Sequence, residues 1–218
     1  MLQSRYETKV PLEHFQLTEL RAAFASLGII KKHTFPDRVV HSIYLDTPDF
    51  ADYYDNVSGI SRRSKTRLRW YNNETYRLFF EVKKKTEKVS TKTVVELENP
   101  GQKLPYDSFS ARQLLSTNAL KLRTHISPLQ SPVLEVQYRR QYFELAPGIR
   151  ATIDQDIRFR RLFPSRSQIL CKSPVCIVLE FKYGIDQRRR FLNLIRGLPL
   201  RPFRHSKYVI GMDCTALG

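Results

Sequence analysis

Every second position is charged or polar, and the positions between are apolar, in seven short stretches of this chain. They are Arg5-Glu7-Lys9, Lys65-Arg67-Arg69, Glu81-Lys83, Glu96-Glu98, Tyr138-Arg140-Tyr142, Arg150-Thr152-Asp154 and Glu180-Lys182. Side chains alternate across a strand, so period two predicts strands with an ionic face and a face of Leu, Val, Ile and Phe. One such strand ordinarily shows its charges to water; seven together point to one common ionic surface. Between them, Leu12, Phe15, Leu20, Ala23, Phe24 and Leu27 recur at helical spacing and end at Gly28, which predicts an amphipathic helix over 12–27.

The same reading predicts a strand over 39–46 ending in Asp46-Thr47-Pro48 and a short helix or turn over 50–56 closed near Gly59. A hairpin of 68–71 with 76–83 follows, tipped by Asn72-Asn73-Glu74, and the meander continues through 91–98. Residues 106–124 read as helix, 133–144, 150–159 and 175–183 as strands, and 187–195 as a last helix ended by Gly197 and Pro199. The polar segment Arg161 to Pro174 reads as a mobile loop. About eight strands joined by many hairpin-length links favour an antiparallel sheet with flanking helices, an α+β class, over a doubly wound parallel sheet. The 218 residues are expected to form one domain, 1–218.

A hydrophobic share of 41% excludes global disorder. Lys and Arg number 37 against 21 Asp and Glu, a net charge of +16, which attracts phosphates, nucleic acid or acidic surfaces alike. The longest basic runs are only Lys83-Lys84-Lys85 and Arg188-Arg189-Arg190; many of the other cations stand singly in strands, so a disordered nucleic-acid arm is not their main source and nucleic acid is not the expected partner. Cys171, Cys176 and Cys214 fit no zinc or redox spacing and read as reduced thiols. With charges directly after Met1 and no apolar stretch near the roughly 20 residues of a spanning helix, a soluble cytoplasmic protein is expected. The chain has no Gly-x-Gly-x-x-Gly, P-loop or His-Glu-x-x-His motif, which argues against dinucleotide-binding, P-loop and common zinc-peptidase chemistry. Its five His are scattered without triad or metal spacing.

On the ionic faces Arg is favoured at 67, 69, 140 and 150, and its planar fork suits phosphate oxygens. A sheet closed into a barrel would make these faces line a polar lumen that needs anions and interleaved carboxylates. Glu7, Glu81, Glu96, Glu98 and Glu180 are those carboxylates, with Glu81, Glu96 and Glu98 read as internal counter-ions. Glu beside Arg and Lys is the inventory for Mg²⁺ or Mn²⁺ bridging a polyphosphate, and phosphoryl transfer asks mainly for positioning and charge neutralisation.

Arg5-Tyr6-Glu7-Thr8-Lys9, Ile43-Tyr44-Leu45-Asp46-Thr47, Lys65-Thr66-Arg67-Leu68-Arg69-Trp70-Tyr71, Phe80-Glu81-Val82-Lys83, Tyr138-Arg139-Arg140-Gln141-Tyr142, Arg150-Ala151-Thr152-Ile153-Asp154, Leu179-Glu180-Phe181-Lys182-Tyr183 and Ser206-Lys207-Tyr208 together resemble the VTC domain. That is the polyphosphate polymerase domain among the triphosphate tunnel metalloenzymes. The resemblance implies a closed antiparallel eight-stranded β-barrel tunnel in which the γ-phosphate of ATP passes to a growing polyphosphate chain, with Mn²⁺ or Mg²⁺ as cofactor. It implies phosphate contacts from Lys9, Lys65, Arg67, Arg69, Lys83, Arg140, Arg150, Lys182 and Lys207, of which Arg67, Arg69 and Lys207, with Glu180, are the expected catalytic set. Glu180 and Glu7 would hold the metal, and Tyr44, Glu81 and Lys92 would complete the tunnel wall. ATP and pyrophosphate or polyphosphate are the expected partners, together with a membrane protein that receives the product.

The hydrolytic tunnel enzymes resemble a Glu-x-Glu-x-Lys opening, whereas Arg5 stands here where the first Glu would be. One carboxylate fewer for activating water favours transferase over a tripolyphosphate or nucleoside triphosphate hydrolase. The remaining alternative is a non-catalytic module binding polyphosphate or inositol phosphate, which the net charge alone would permit.

Overall fold

In the computed structural model the described residues are 5–26, 32–86, 89–101, 104–105, 107–163, 170–198 and 200–216. The chain runs β1 (Arg5–Leu12), α1 (His14–Ser26), β2 (Lys32–Asp46), α2 (Ala51–Val57), β3 (Arg62–Tyr71), β4 (Leu78–Thr86), β5 (Val89–Leu97), α3 (Ser108–Thr117) and α4 (Ala119–Leu122). It continues with β6 (Ser131–Ala146), β7 (Ile149–Arg161), β8 (Leu170–Lys172), β9 (Ile177–Gly184), α5 (Arg188–Leu194) and α6 (Lys207–Cys214). The strands form one nine-stranded, mostly antiparallel sheet in the order β1-β9-β7-β6-β2-β3-β4-β5, with β8 added beside β7. The fold is α+β, as expected.

The expected closed eight-stranded barrel is not what forms. Among the described residues no ladder joins β1 to β5, so the sheet is not closed. At β1 the edge is engaged by another segment: the Phe203 amide donates to the Lys9 carbonyl at 2.9 Å, and Lys9 Nζ donates to the His205 carbonyl at 3.0 Å. At β5, Thr91, Lys92 and Thr93 are exposed, the polar edge that discourages further pairing. The ninth strand arises because β7 changes partner. Its residues 149–155 pair with β9 and 158–160 with β8, and between them Asp156 adopts φ 55, the left-handed kink typical of a bulge.

Residue contacts divide the chain into two compact units, Met1–Arg38 with Tyr138–Ile157 and Ser173–Ser206, and Val39–Gln137 with Arg158–Lys172 and Lys207–Gly218. In the first, α1 lays Leu17, Leu20 and Phe24 onto a core of Val10, Ile153, Leu179 and Phe181, with Phe191 of α5 added. Each such fully buried side chain contributes on the order of 2 kcal/mol. Register puts Val10 opposite Leu179 and Leu179 opposite Ile153; the alternate residues therefore form a second, ionic face. In the other unit Ile43, Leu45, Leu68, Trp70, Phe80 and Val82 pack against Ala111 and Leu114 of α3 and Leu122 of α4.

Several boundaries depart from the sequence reading. The 106–124 helix is broken at Asn118, whose buried side chain accepts from the Glu98 amide and donates to the Glu98 carbonyl, both at 2.8 Å. The expected loop over 161–174 contains β8, while its residues 164–169 lie outside the described set, as do the helix stop at Gly28, the helix start at Tyr106 and Pro199. Helix α6 was not signalled, because Val209-Ile210-Gly211 is a weak helical sequence. Tertiary packing overrides this: a Cβ at Gly211 would lie 2.6 Å from Phe159 and 2.7 Å from Leu134, so only glycine lets α6 approach this closely. Among the described residues no helix is long and apolar enough to cross a membrane.

Replacing Gly211 by Val overpacks this contact and is expected to cost about 1–3 kcal/mol, seen as a thermal midpoint lowered by roughly 2–10 °C. An unchanged midpoint in a calorimetric scan contradicts the tight docking of α6.

Candidate functional site

In the second unit the ionic face is built across β2 to β5. Register sets Tyr44 and Glu81 opposite Arg67, Ser42 and Phe79 opposite Arg69, and Lys83 opposite both Lys65 and Lys92. Glu81 is 4% exposed and organises the face. Arg67 donates to its Oε2 through Nε at 2.8 Å and Nη2 at 2.6 Å, Lys92 Nζ reaches its Oε1 at 2.8 Å, and Arg69 Nη1 stands 3.8 Å from Oε2. Arg69, itself buried, donates through Nε and Nη2 to the Ser42 hydroxyl at 3.1 and 3.0 Å. Arg67 Nη1 donates to the Tyr44 hydroxyl at 3.1 Å. Two guanidinium groups are thus fixed in orientation before any ligand arrives.

Burial alone would raise the Glu81 carboxyl, but Arg67, Arg69 and Lys92 outweigh it and bring it down to about 2. Burial likewise would raise the Tyr44 phenol; Arg67, Arg69 and Lys65 instead lower it to about 8. Tyr44 stacks on Tyr208 with ring centroids 4.9 Å apart, and the Tyr208 hydroxyl donates to Asp46. Asp46 is fully buried and also accepts from the amides of Thr47, Asp52 and Tyr53 at 2.8, 2.9 and 2.9 Å. The carboxylate therefore secures the start of α2 and positions Tyr208 beneath Tyr44. Lys207 opens α6, one residue before Tyr208.

The first unit carries a different ionic face. Lys9 and Thr152 stand opposite Glu180, and Glu7 and Arg150 opposite Lys182, so the charges on β1 and β9 alternate in sign both along and across the strands. Glu180 is buried, with Lys182 Nζ 3.0 Å from its Oε1. Arg140 closes its fork on the fully buried Asp154, Nε to Oδ1 at 2.6 Å and Nη2 to Oδ2 at 2.7 Å. Burial would lower the Arg140 pKa, yet Asp154 raises it well above its ordinary value. Arg150 and Glu7 are exposed.

A sequence profile of the VTC domain matches residues 4–216. The chain belongs to the VTC domain family. Its fold is similar to that of a protein provisionally named an adenylate cyclase from Vibrio parahaemolyticus, at 14% identity and TM-score 0.54 over 95% of this chain and 97% of that one. It is also similar to a Pyrococcus horikoshii protein, at 14% identity and TM-score 0.52 over 94% and 96%. A third, from Bacillus halodurans and also provisionally named an adenylate cyclase, gives 13% and 0.55 over 93% and 95%. At such identities the fold alone is shared. No curated protein matches the sequence.

The VTC domain thus brings Lys65, Arg67, Arg69, Lys83, Tyr44, Glu81 and Lys92 onto one face, and Glu7, Lys9, Glu180, Lys182, Arg150, Arg140 and Asp154 onto another. Glu96 and Glu98 are not internal counter-ions: both are exposed, and Glu98 pairs with Lys121 at 2.7 Å. Glu96 lies near the end of β5 and Glu98 just beyond it. Ser42 and Asp154 were not assigned roles from sequence. Ser42 continues the alternation of Tyr44, and Asp154 that of Arg150 and Thr152, which was the available signal.

Among the described residues no three His, Cys, Asp or Glu side chains converge to cage a metal. The donor set nonetheless fits a hard divalent cation held largely by substrate. Glu180 is a buried carboxylate, Glu7 lies diagonal to it, and the buried Thr152 hydroxyl opposite Glu180 has no hydrogen-bond partner among the described residues. One or two carboxylates with phosphate oxygens and water is the usual magnesium environment.

The Glu81 carboxyl titrates lower folded than unfolded. Its contribution is therefore full above about 4.5, its ordinary value, and is lost as pH falls through about 2; the depression corresponds to roughly 3 kcal/mol. Denaturation of wild type against Glu81→Gln across this range should show the step in wild type only, with the variant less stable at neutral pH. For Tyr44 the expected result is one phenolate appearing near pH 8 in ultraviolet difference absorbance, absent in Tyr44→Phe; titration only near pH 10 would contradict the cationic environment of this phenol.

Proposed function

We propose that this VTC domain is a Mg²⁺- or Mn²⁺-dependent polyphosphate polymerase that transfers the γ-phosphate of ATP to a growing chain, in the cytoplasm and with a membrane protein receiving the product. The observation that carries the reading is the fixed pair Arg67 and Arg69 among Lys65, Lys83 and Lys92, with Glu81 as their one buried carboxylate. Such a face retains excess positive charge, oriented beforehand, for an extended polyanion. Lys207, in the same unit, adds a further cation; Lys9, Lys182, Arg150 and Arg140 belong to the face of the other unit, where Arg140 commits Nε and Nη2 to Asp154.

In the reaction, an ionised terminal oxygen of the acceptor phosphate attacks the γ-phosphorus. The new phosphorus–oxygen bond forms as the bond to the β,γ-bridging oxygen breaks, and ADP leaves with that electron pair. No base is required, because the nucleophile already carries its charge; this is consistent with Arg5 replacing the first carboxylate of the hydrolytic opening. Arg67 and Arg69 hold the equatorial oxygens in line and stabilise the charge that spreads onto them. Glu180, with Glu7 and Thr152 beside it, would hold the divalent ion, whose chemistry is to neutralise phosphate charge.

Incubation of the pure protein with ATP and Mn²⁺, with and without pyrophosphate, is expected to give a polyphosphate ladder on a stained gel. Glu180→Gln should abolish metal-dependent turnover while sparing ATP binding, and Arg67→Gln should lower kcat by about 10²–10³-fold. ADP and orthophosphate without a ladder would identify a hydrolase, and full turnover in Glu180→Gln would remove that residue from the site.

A further inference from the structure

On the opposite face of β2 from Ser42 and Tyr44, the second unit carries a separate open pocket of about 750 Å³, within the size range of small-ligand sites. Val39 and His41 of β2, the hairpin tip at Asn72 and Asn73, and Gln137 of β6 form part of its wall. Arg158 and Arg160 of β7 supply its charge. Register separates it from the Arg67 and Arg69 face: His41 lies opposite Trp70, whereas Ser42 lies opposite Arg69.

The lining is rich in donors. Glu135, its single carboxylate, is already committed, with Arg160 Nε at 2.7 Å and Nη2 at 2.5 Å from its Oε2 and His41 Nδ1 at 3.8 Å from its Oε1. Arg158 is exposed, stands opposite Lys172, and among the described residues has no carboxylate partner. Asn72 is held to β2 in both directions. Its amide donates to the Val39 carbonyl at 2.8 Å and its Oδ1 accepts from the Val39 amide at 2.9 Å, which presents its side-chain NH₂ as a donor. A ligand for this lining must be small, anionic and rich in acceptor oxygens, and the Arg158 fork favours paired oxygens of one group.

We propose that this pocket is a second, non-catalytic site for a small phosphorylated molecule, anchored by Arg158. Trp70 reports on it, being the only tryptophan of the chain and stacked on His41 with ring centroids 5.0 Å apart and planes at 4°.

The test is titration of the full chain with pyrophosphate, followed by Trp70 fluorescence, in wild type, Arg158→Ala, Arg67→Gln and the double variant. The expected result is a saturable change in wild type and Arg67→Gln that is weakened about tenfold or more whenever Arg158 is replaced. Arg158→Ala should retain basal ATP turnover. No fluorescence response in wild type overturns the proposal, as does equal affinity with and without Arg158. A response abolished by Arg67→Gln but spared by Arg158→Ala also overturns it, by assigning the signal to the other face. Absence of ATP turnover in wild type bears on the polymerase alone.

Discussion

Glu81 is the charge on which the basic face depends. Two like charges about 4 Å apart repel by roughly 4 kcal/mol near a protein surface, and Arg67, Arg69 and Lys92 all converge on this one carboxylate. Without it, the face could persist only by swinging its cations into water, and their orientation would be lost. With it, one negative charge is shared among three positive ones, so the face is held together and remains electropositive. A fully neutralised cluster would have no need of a ligand, and an uncompensated one would not pack.

The first unit solves its electrostatics differently. Glu7 and Lys9 on β1 meet Lys182 and Glu180 on β9 in a chequered arrangement, and Arg140 is matched by Asp154. Charge there is nearly balanced, and the carboxylates are the distinctive groups. Glu180 is a buried acid with Lys182 on one oxygen and the Thr152 hydroxyl on the neighbouring strand. The two faces thus differ in kind, one holding an excess of oriented positive charge and the other pairing charges of both signs.

Half-buried antiparallel strands write their faces into the sequence, which is why Leu68 and Trp70 could be separated from Arg67 and Arg69 by alternation alone. The pattern states which residues share a face, but not what stands across the ladder. Hence Arg140 was legible as an ionic-face residue while its bidentate commitment to Asp154 was not, and Glu98 shared the period of Glu81 without sharing its burial. Sheet closure was illegible for a similar reason: it depends on whether the edge of β1 finds another strand or, as at Lys9, the segment containing Phe203 and His205. Asn118 illustrates the limit in helices, since its local sequence permits continuation and a distant backbone, that of Glu98, captures its side chain. Helix α6 is the converse, a weak local sequence stabilised by what Gly211 allows it to touch.

Tyr44 links the chemistry of the basic face to the frame beneath it. Its hydroxyl meets Arg67, its ring rests on Tyr208, and Tyr208 is tied to the same buried Asp46 that receives the first amides of α2. A phenol lowered to about 8 by its cations shifts toward its neutral form when a polyanion neutralises those cations, so ligand charge and the protonation of Tyr44 are thermodynamically linked. Because Tyr208 immediately follows Lys207, the same stack fixes the start of the helix that carries this further cation. The packing that makes α6 hard to read from sequence is therefore also what gives Lys207 a defined place.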